Sequence, residues 1–208
     1  MKRQLTILLA LCALAQPLLS RAEPALPDAL VKEVSTQVLE VVKGDKGIQN
    51  GNQKRTQELI EEKVLPHFDF THMMSFAMGR DWKLANPEQQ KTLTAEFKTL
   101  LMRTYSNAFL GFKNDTVTVR PGVVPPAATD ATVRTLINRP SGQPVRLDYT
   151  LAKTPAGWKV YDVIVAGSSL VTVYRQQFHQ KVEAGGLDGL MKFLQDGNHG
   201  QASPEEKK

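Results

Sequence analysis

Beyond its first 22 residues the chain has no cysteine, because the only one, Cys12, lies in the leader. A mature form starting near Glu23 can therefore form no disulfide and run no thiol chemistry, and its stability has to come from a packed core. Apolar runs of the roughly 18 to 20 residues that a membrane helix needs are missing too. So are a phosphate-binding glycine loop and a G-x-S-x-G nucleophile elbow, since "GSSL" at Gly167 to Leu170 lacks the second half of that turn. There is no internal repeat and no low-complexity tract. These absences remove thiol enzymes, nucleotide-binding loops and elbow-type serine hydrolases.

Residues Met1 to Ala22 combine a basic start at Lys2 and Arg3, an apolar run from Leu5 to Ala15, and a small-x-small ending at Ser20 and Ala22. That is the layout of a secretory signal peptide, so residues 1–22 are expected to be removed and the remainder exported, with a bacterial periplasm as destination. A lipid anchor on Cys12 is the rival, but Leu11 precedes it where a small residue is expected. Setting aside Lys2, Arg3 and Arg21 lowers the balance from 26 basic and 21 acidic residues, net +5, to 23 and 21. No concentrated basic stripe accompanies this near-neutral balance, so no nucleic-acid partner is expected.

The first half reads as helical. "PDALVKEVSTQVLEVVK" repeats apolar residues at Leu30, Val34, Val38, Leu39 and Val42, the spacing of an amphipathic helix. A second helix spans "NQKRTQELIEEKVLPHF" and is closed by Pro66. Asp69 stands where the N-cap of a third would stand. Asn86 and Pro87 read as cap and first turn of a long helix reaching Phe112, with an apolar face of Leu93, Phe97, Leu100, Leu101, Tyr105, Ala108 and Phe109. At Asn114 the period changes to two. "TVTVRPG", "ATVRTLINRP", "QPVRLDYTLAKT" and "GWKVYDVIVAG" read as four antiparallel strands. In the last, Trp158, Val160 and Ile164 are expected on one face and Tyr161, Val163 and Val165 on the other. A strand apolar on both faces lies between two layers. A helix from Ser168 to Gly186 and a short one from Leu187 to Gly197 close the chain. The fold class is α+β: residues 23–113 mainly helical, residues 114–196 a sheet and C-terminal helices packing with it as one unit, and residues 197–208 a charged, disordered tail.

"HFDFTHMMSFAMGRDW", from His67 to Trp82, places two histidines and an aspartate at a spacing that could hold a metal, within a run of Phe and Met. Zinc needs ligands converging at about 2 Å. Pro66 separates His67 from the helix carrying Asp69 and His72, and capping explains Asp69 without further assumption, so no metal site is expected. A cavity enzyme using groups such as Tyr161, Asp162 and His179 remains open, because sequence cannot show which groups come within reach of each other. A chaperone or adaptor exposing its apolar surface is a third reading. Apolar helix faces alone are what any packed core shows.

Two long motifs in order carry a resemblance. "VLPHFDFTHMMSFAMGRDWKLANPEQQKTLTAEFKTLLMRTYSNAF" contains a "P-x-F-D-F" start, a "G-x-x-W" turn and an "F-x-x-L-L-x-x-T-Y" helix, and "GWKVYDVIVAGSSLVTVYRQQFHQKVEAGGLDGLMKFL" follows. Both resemble the MlaC family, also called the toluene-tolerance auxiliary family, from about Leu30 to Leu194; between Arg120 and Pro140 only the strand pattern aligns. The resemblance implies a curved four-stranded antiparallel sheet of the nuclear-transport-factor or cystatin-like kind, wrapped by helices, with a helical subdomain. It implies a periplasmic phospholipid carrier, not an enzyme, with no catalytic residue, metal or cofactor. Its partners would be an outer-membrane lipoprotein complex and an inner-membrane ABC transporter with an MCE-domain ring, and it would work as a monomer to maintain outer-membrane lipid asymmetry. Acyl chains would lie between sheet and helices. The residues expected to contact them are Phe70, Met73 and Met74, then Phe97, Leu100, Leu101, Tyr105, Ala108 and Phe109 of the long helix. Leu147, Tyr149, Tyr161, Val163 and Val165 of the strands, with Tyr174 and Phe178 of the last helix, complete the set.

Overall fold

The computed structural model describes residues 26–111, 114–140 and 142–199. The signal-peptide reading falls on residues outside these, as does the tail from residue 200. No helix among the described residues is long and apolar enough to cross a membrane.

Local chemistry sets the helix ends. Helix α1, Pro27–Gly44, starts on a proline, which has no amide proton to leave unpaired in the first turn. A short α2, Lys46–Gln49, and α3, Gln53–Lys63, follow, capped by the Asp45 and Asn52 side chains. After α3 a 3₁₀ turn, Leu65–His67, carries the chain past Pro66. Helix α4, Phe70–Met78, is capped by Asp69, whose carboxylate accepts from the His72 amide at 2.8 Å. Helix α5, Pro87–Tyr105, opens on a capping box: Gln89 N–H donates to Asn86 Oδ1 at 2.9 Å and Asn86 N–H to Gln89 Oε1 at 3.0 Å. It is shorter than its sequence pattern, because from Ser106 to Gly111 the chain tightens into a 3₁₀ turn. Ser106 and Asn107 are residues whose side chains compete for backbone hydrogen bonds.

Five antiparallel strands form one sheet in chain order: β1, Thr116–Arg120; β2, Asp130–Asn138; β3, Val145–Thr154; β4, Gly157–Val165; β5, Ser168–Ser169. The fifth is a two-residue strand that the period-two pattern is too short to register. It is reached through Ala166 and Gly167, at φ of 51° and 93°, the pair of left-handed residues that a two-residue hairpin requires. Further along the same edge of β4 lies the segment before α4, where the Asp69 amide donates to the Val160 carbonyl at 2.8 Å.

The sheet corrects one expectation. Thr150 of β3 faces Asp162, but Leu151 faces Val160, so Tyr161 is an extra residue, a β-bulge. Side chains change phase across it. Val163 and Val165, expected opposite Trp158 and Val160, lie on the same inner face, and Tyr161 lies on the other. That inner face, with Val133 and Leu151, packs on Val31 of α1.

Helix α6, Leu170–His199, is broken at Gly185 and at Gly186, where φ is 65°. The break turns its second half back along α5, so Gly197 and Asn198, read from sequence as the start of the tail, are helical. Arg103 Nη1 donates to the Gly197 carbonyl at 2.5 Å and Asn198 Nδ2 to the Glu96 carbonyl at 3.1 Å. Between α4, α5 and α6 lies the largest buried cluster among the described residues, in which Leu93, Phe97, Phe178, Leu190 and Leu194 are fully buried. Phe97 meets Tyr174 and Phe178 edge to face at 5.3 and 5.4 Å.

Asp69→Ala is expected to destabilise the protein by about 1 kcal/mol, the usual loss of a helix cap, seen as a lower urea midpoint with unchanged slope. A chelator added to the wild type should leave that midpoint in place. A chelator-induced shift would restore the metal reading.

Candidate functional site

The inner face of the sheet and the helices do not close on each other completely. A cavity of about 400 Å³ separates them, within the range of about 300–1,000 Å³ typical of small-molecule pockets. Strand alternation builds its floor: Ile137 of β2, Val145, Leu147 and Tyr149 of β3, and Val163 and Val165 of β4 all point the same way. Its walls are Ile60 of α3, Leu65 and Phe68 of the following turn, Phe70 and Met73 of α4, and Leu101, Met102 and Tyr105 of α5. Ser106, Ala108 and Phe109 of the 3₁₀ turn, with Leu170 at the start of α6, complete them. Arg139, just beyond β2, is the only charged residue among the described lining. Smaller spaces continue under α1 and share Phe109, Ile137, Leu147 and Tyr149 with the main cavity. There burial pushes the Tyr149 phenol up to about 12, against the hydrogen bond from Ser35.

Of the residues singled out from sequence, Phe70, Met73, Leu101, Tyr105, Ala108, Phe109, Leu147, Tyr149, Val163 and Val165 line this cavity. Met74, Phe97, Leu100, Tyr174 and Phe178 do not; they belong to the packed core between α4, α5 and α6. The apolar arc of α5 serves two neighbours. Leu93, Phe97 and Leu100 belong to the core alone, while Leu101 and Tyr105, one and two turns beyond Phe97 on the same arc, pack on the core and also reach the cavity. Tyr161, on the far face of the sheet, stacks on His72 with ring centroids 4.0 Å apart. Nine lining residues escaped the sequence reading, and for Ile137, Val145 and Arg139 the signal was available. They keep the alternation of Val133 and Leu147.

The candidate acid–base groups are scattered. Asp162 is buried and accepts from the Val171 amide at 3.2 Å, Tyr161 stacks as described, and His179 pairs with Asp81. No group of three His, Cys, Asp or Glu that could hold a metal comes together among the described residues. His67 is partly desolvated, which with Lys159 nearby lowers its pKa.

A larger depression of about 710 Å³ lies between α4 and α6, but it is open and polar, lined by His72, Ser75, Arg80, Asp81, Arg175, Gln176 and His179 among others. Arg175 crosses it, donating to the Phe76 carbonyl from Nη2 at 2.7 Å, with its guanidinium 4.6 Å from the Phe76 ring centroid. His179 Nδ1 lies 2.8 Å from Asp81 Oδ2 and Nε2 lies 3.2 Å from Glu183 Oε1. The Asp81 hydrogen bond, then the Glu183 charge, raise the His179 pKa. These contacts fasten α6 to the turn after α4. The more apolar and more sheltered space is the cavity under the sheet, and it is the candidate site.

Comparison with known proteins agrees with this geometry. A family model described as MlaC protein matches residues 32–196. The toluene tolerance protein ttg2D of Pseudomonas putida is 29% identical over 189 residues, covering 90% of this chain and 85% of that protein. A solved structure of a phospholipid-binding protein from Ralstonia solanacearum, in complex with a phospholipid, superposes with a TM-score of 0.78 at 39% identity, covering 84% of this chain and 98% of that one.

Because His179 has a raised folded pKa, what its pairing adds to stability is fully present below the unfolded value of about 6.5 and is lost as pH rises through the folded value. An NMR titration should place the His179 transition above about 6.5, and Asp81→Asn should move it back down. An unchanged His179 transition in Asp81→Asn would remove Asp81 as the cause.

Proposed function

The chain belongs to the MlaC family, and on that premise we propose that it is a carrier that encloses the acyl chains of a diacyl phospholipid in the cavity under its sheet. It would work in the periplasm, taking lipid from one membrane-bound complex and handing it to another. The complexes that the family resemblance suggests are an outer-membrane lipoprotein assembly and an inner-membrane ABC transporter with an MCE-domain ring, and the outcome would be maintenance of outer-membrane lipid asymmetry. The observation that carries this reading is the cavity itself: a partly open space walled almost wholly by Phe, Met, Leu, Ile, Val and Tyr side chains. The likeness to a structure that holds a phospholipid supports it.

The energetics are coherent. Two acyl chains of about thirty methylenes in all, at roughly 0.8 kcal/mol each, cost on the order of 24 kcal/mol to expose to water. An apolar cavity returns the share of that cost that belongs to the methylenes it covers, which lowers the barrier to exchange between bilayer and carrier. The carrier then needs no energy source, and direction comes from its partners. An enzyme would need an acid or base facing the cavity; its described lining offers no carboxylate and no imidazole, and Tyr149 holds its proton far above neutral pH.

Solvent extraction of the gently purified protein, with mass spectrometry of the extract, tests the proposal. Diacyl phospholipid near one equivalent, with head groups reflecting the host membrane, is expected; a lipid-free preparation that also fails to take up phospholipid would overturn it. Leu147→Trp separates cavity from core. In a filled interior the enlargement would destabilise by about 1–3 kcal/mol. Here the indole should occupy the space of the lipid, so the variant is expected to carry less lipid while its delipidated melting temperature equals or exceeds that of delipidated wild type.

A further inference from the structure

Arg139 is the charged exception in an apolar wall, and its surroundings explain its presence poorly unless something else joins it. Alternation along β2 places Val133, Thr135 and Ile137 inward, and Arg139 continues that phase one step beyond the strand. Its side chain lines the cavity and is 44% exposed, so it stands where the cavity meets solvent. Its partner is Asp115, which the pairing of Thr116 with Asn138 puts beside it on the neighbouring strand. The Arg139 Nε to Asp115 Oδ2 separation is 3.7 Å, too long for a hydrogen bond. Asp115 is only 4% exposed, and its Oδ2 has no hydrogen-bond partner among the described residues. An arginine of this kind has one edge, Nε, turned to a buried carboxylate that holds it at the rim. Its two terminal nitrogens are left without a hydrogen bond among the described residues.

We infer that Arg139 is the lipid-headgroup site of this chain, receiving the anionic phosphodiester of the cargo on its free Nη edge while Asp115 positions the guanidinium. The inference rests on the carrier reading above and adds what that reading lacks, a reason for the cargo to be a phospholipid instead of any apolar molecule of similar size. A planar guanidinium matches two phosphate oxygens at once and is weakly hydrated, which suits a half-exposed rim. The contact is made to the phosphodiester, which all diacyl glycerophospholipids share, so it selects the class without selecting the alcohol attached to it.

The test is uptake by delipidated protein from detergent micelles holding dioleoyl phosphatidylglycerol, dioleoyl phosphatidylethanolamine or dioleoylglycerol, which have identical chains. Wild type should take up the two phospholipids to similar extents and about tenfold in preference to the diacylglycerol, the size of one charge-assisted contact. Arg139→Gln should lose most of that preference by taking up less phospholipid while its diacylglycerol uptake is unchanged, and Arg139→Lys should restore it in part. Lys98→Met serves as a control for general surface charge. Lys98 lies over the Phe70 ring, its Nζ 5.7 Å from the centroid, but is outside the lining, and its loss should leave the preference intact. Because diacylglycerol uptake reports a formed cavity, it separates misfolding of Arg139→Gln from loss of the contact. An unchanged preference in Arg139→Gln, or an equal loss in Lys98→Met, overturns the assignment of Arg139 alone. Failure of wild type to take up any of the three lipids overturns the carrier reading together with it.

Discussion

A protein that keeps part of its interior hollow has to be held together elsewhere. Unfilled volume forfeits dispersion contacts, and at about 24 cal/mol per Å³ a sealed, empty space of the size found here would cost on the order of 10 kcal/mol, comparable to the whole net stability of a small domain. The arrangement of the helices answers this constraint. Phe97, Tyr174 and Phe178 interlock beside Leu93, Leu190 and Leu194 in a region that the cavity does not reach. Dense packing and open space are therefore in different places, joined by α5, whose one apolar arc serves both. The same constraint makes cargo a structural element, since anything that fills the hollow only in the folded state stabilises that state by mass action.

Much of this was legible in the sequence because it is local. Asp69, Asn86 and Pro87 announce helix starts through the chemistry of the first turn, and the glycine pair before Leu187 announces a break. Period two marks β1 to β4. The division of α5 between core and cavity was not legible, because a helix of apolar positions does not say which neighbour each position will meet. For that reason Phe97 and Leu100 were indistinguishable from Leu101 and Tyr105 until α6 was in place. Long-range polar contacts were equally invisible: Asp81 and His179 are 98 residues apart, and no spacing rule connects them. Arg139 is the opposite case. Counting by twos from Val133 reaches it, and only the habit of reading charge as exposure hides it.

The bulge at Tyr161 shows how small the decisive local difference can be. Without the bulge, strict alternation from Trp158 through all of these residues would carry Asp162 and Ile164 to the inner face and turn Val163 and Val165 outward. A buried carboxylate would then stand in the lipid space, unhydrated and unpaired. With it, Asp162 instead meets the Val171 amide, helping to fix the first turn of α6 beside the sheet.

The bulge lets β4 carry one residue more than β3 has to face it, with Tyr161 and Asp162 both turned away from the inner face. Removal of one residue there would turn the bulge into regular pairing and leave Val163 and Val165 on the inner face, because the strand would then alternate without interruption. Chains of this architecture can therefore differ in length by one residue at this point without exchanging the two faces of the strand beyond it.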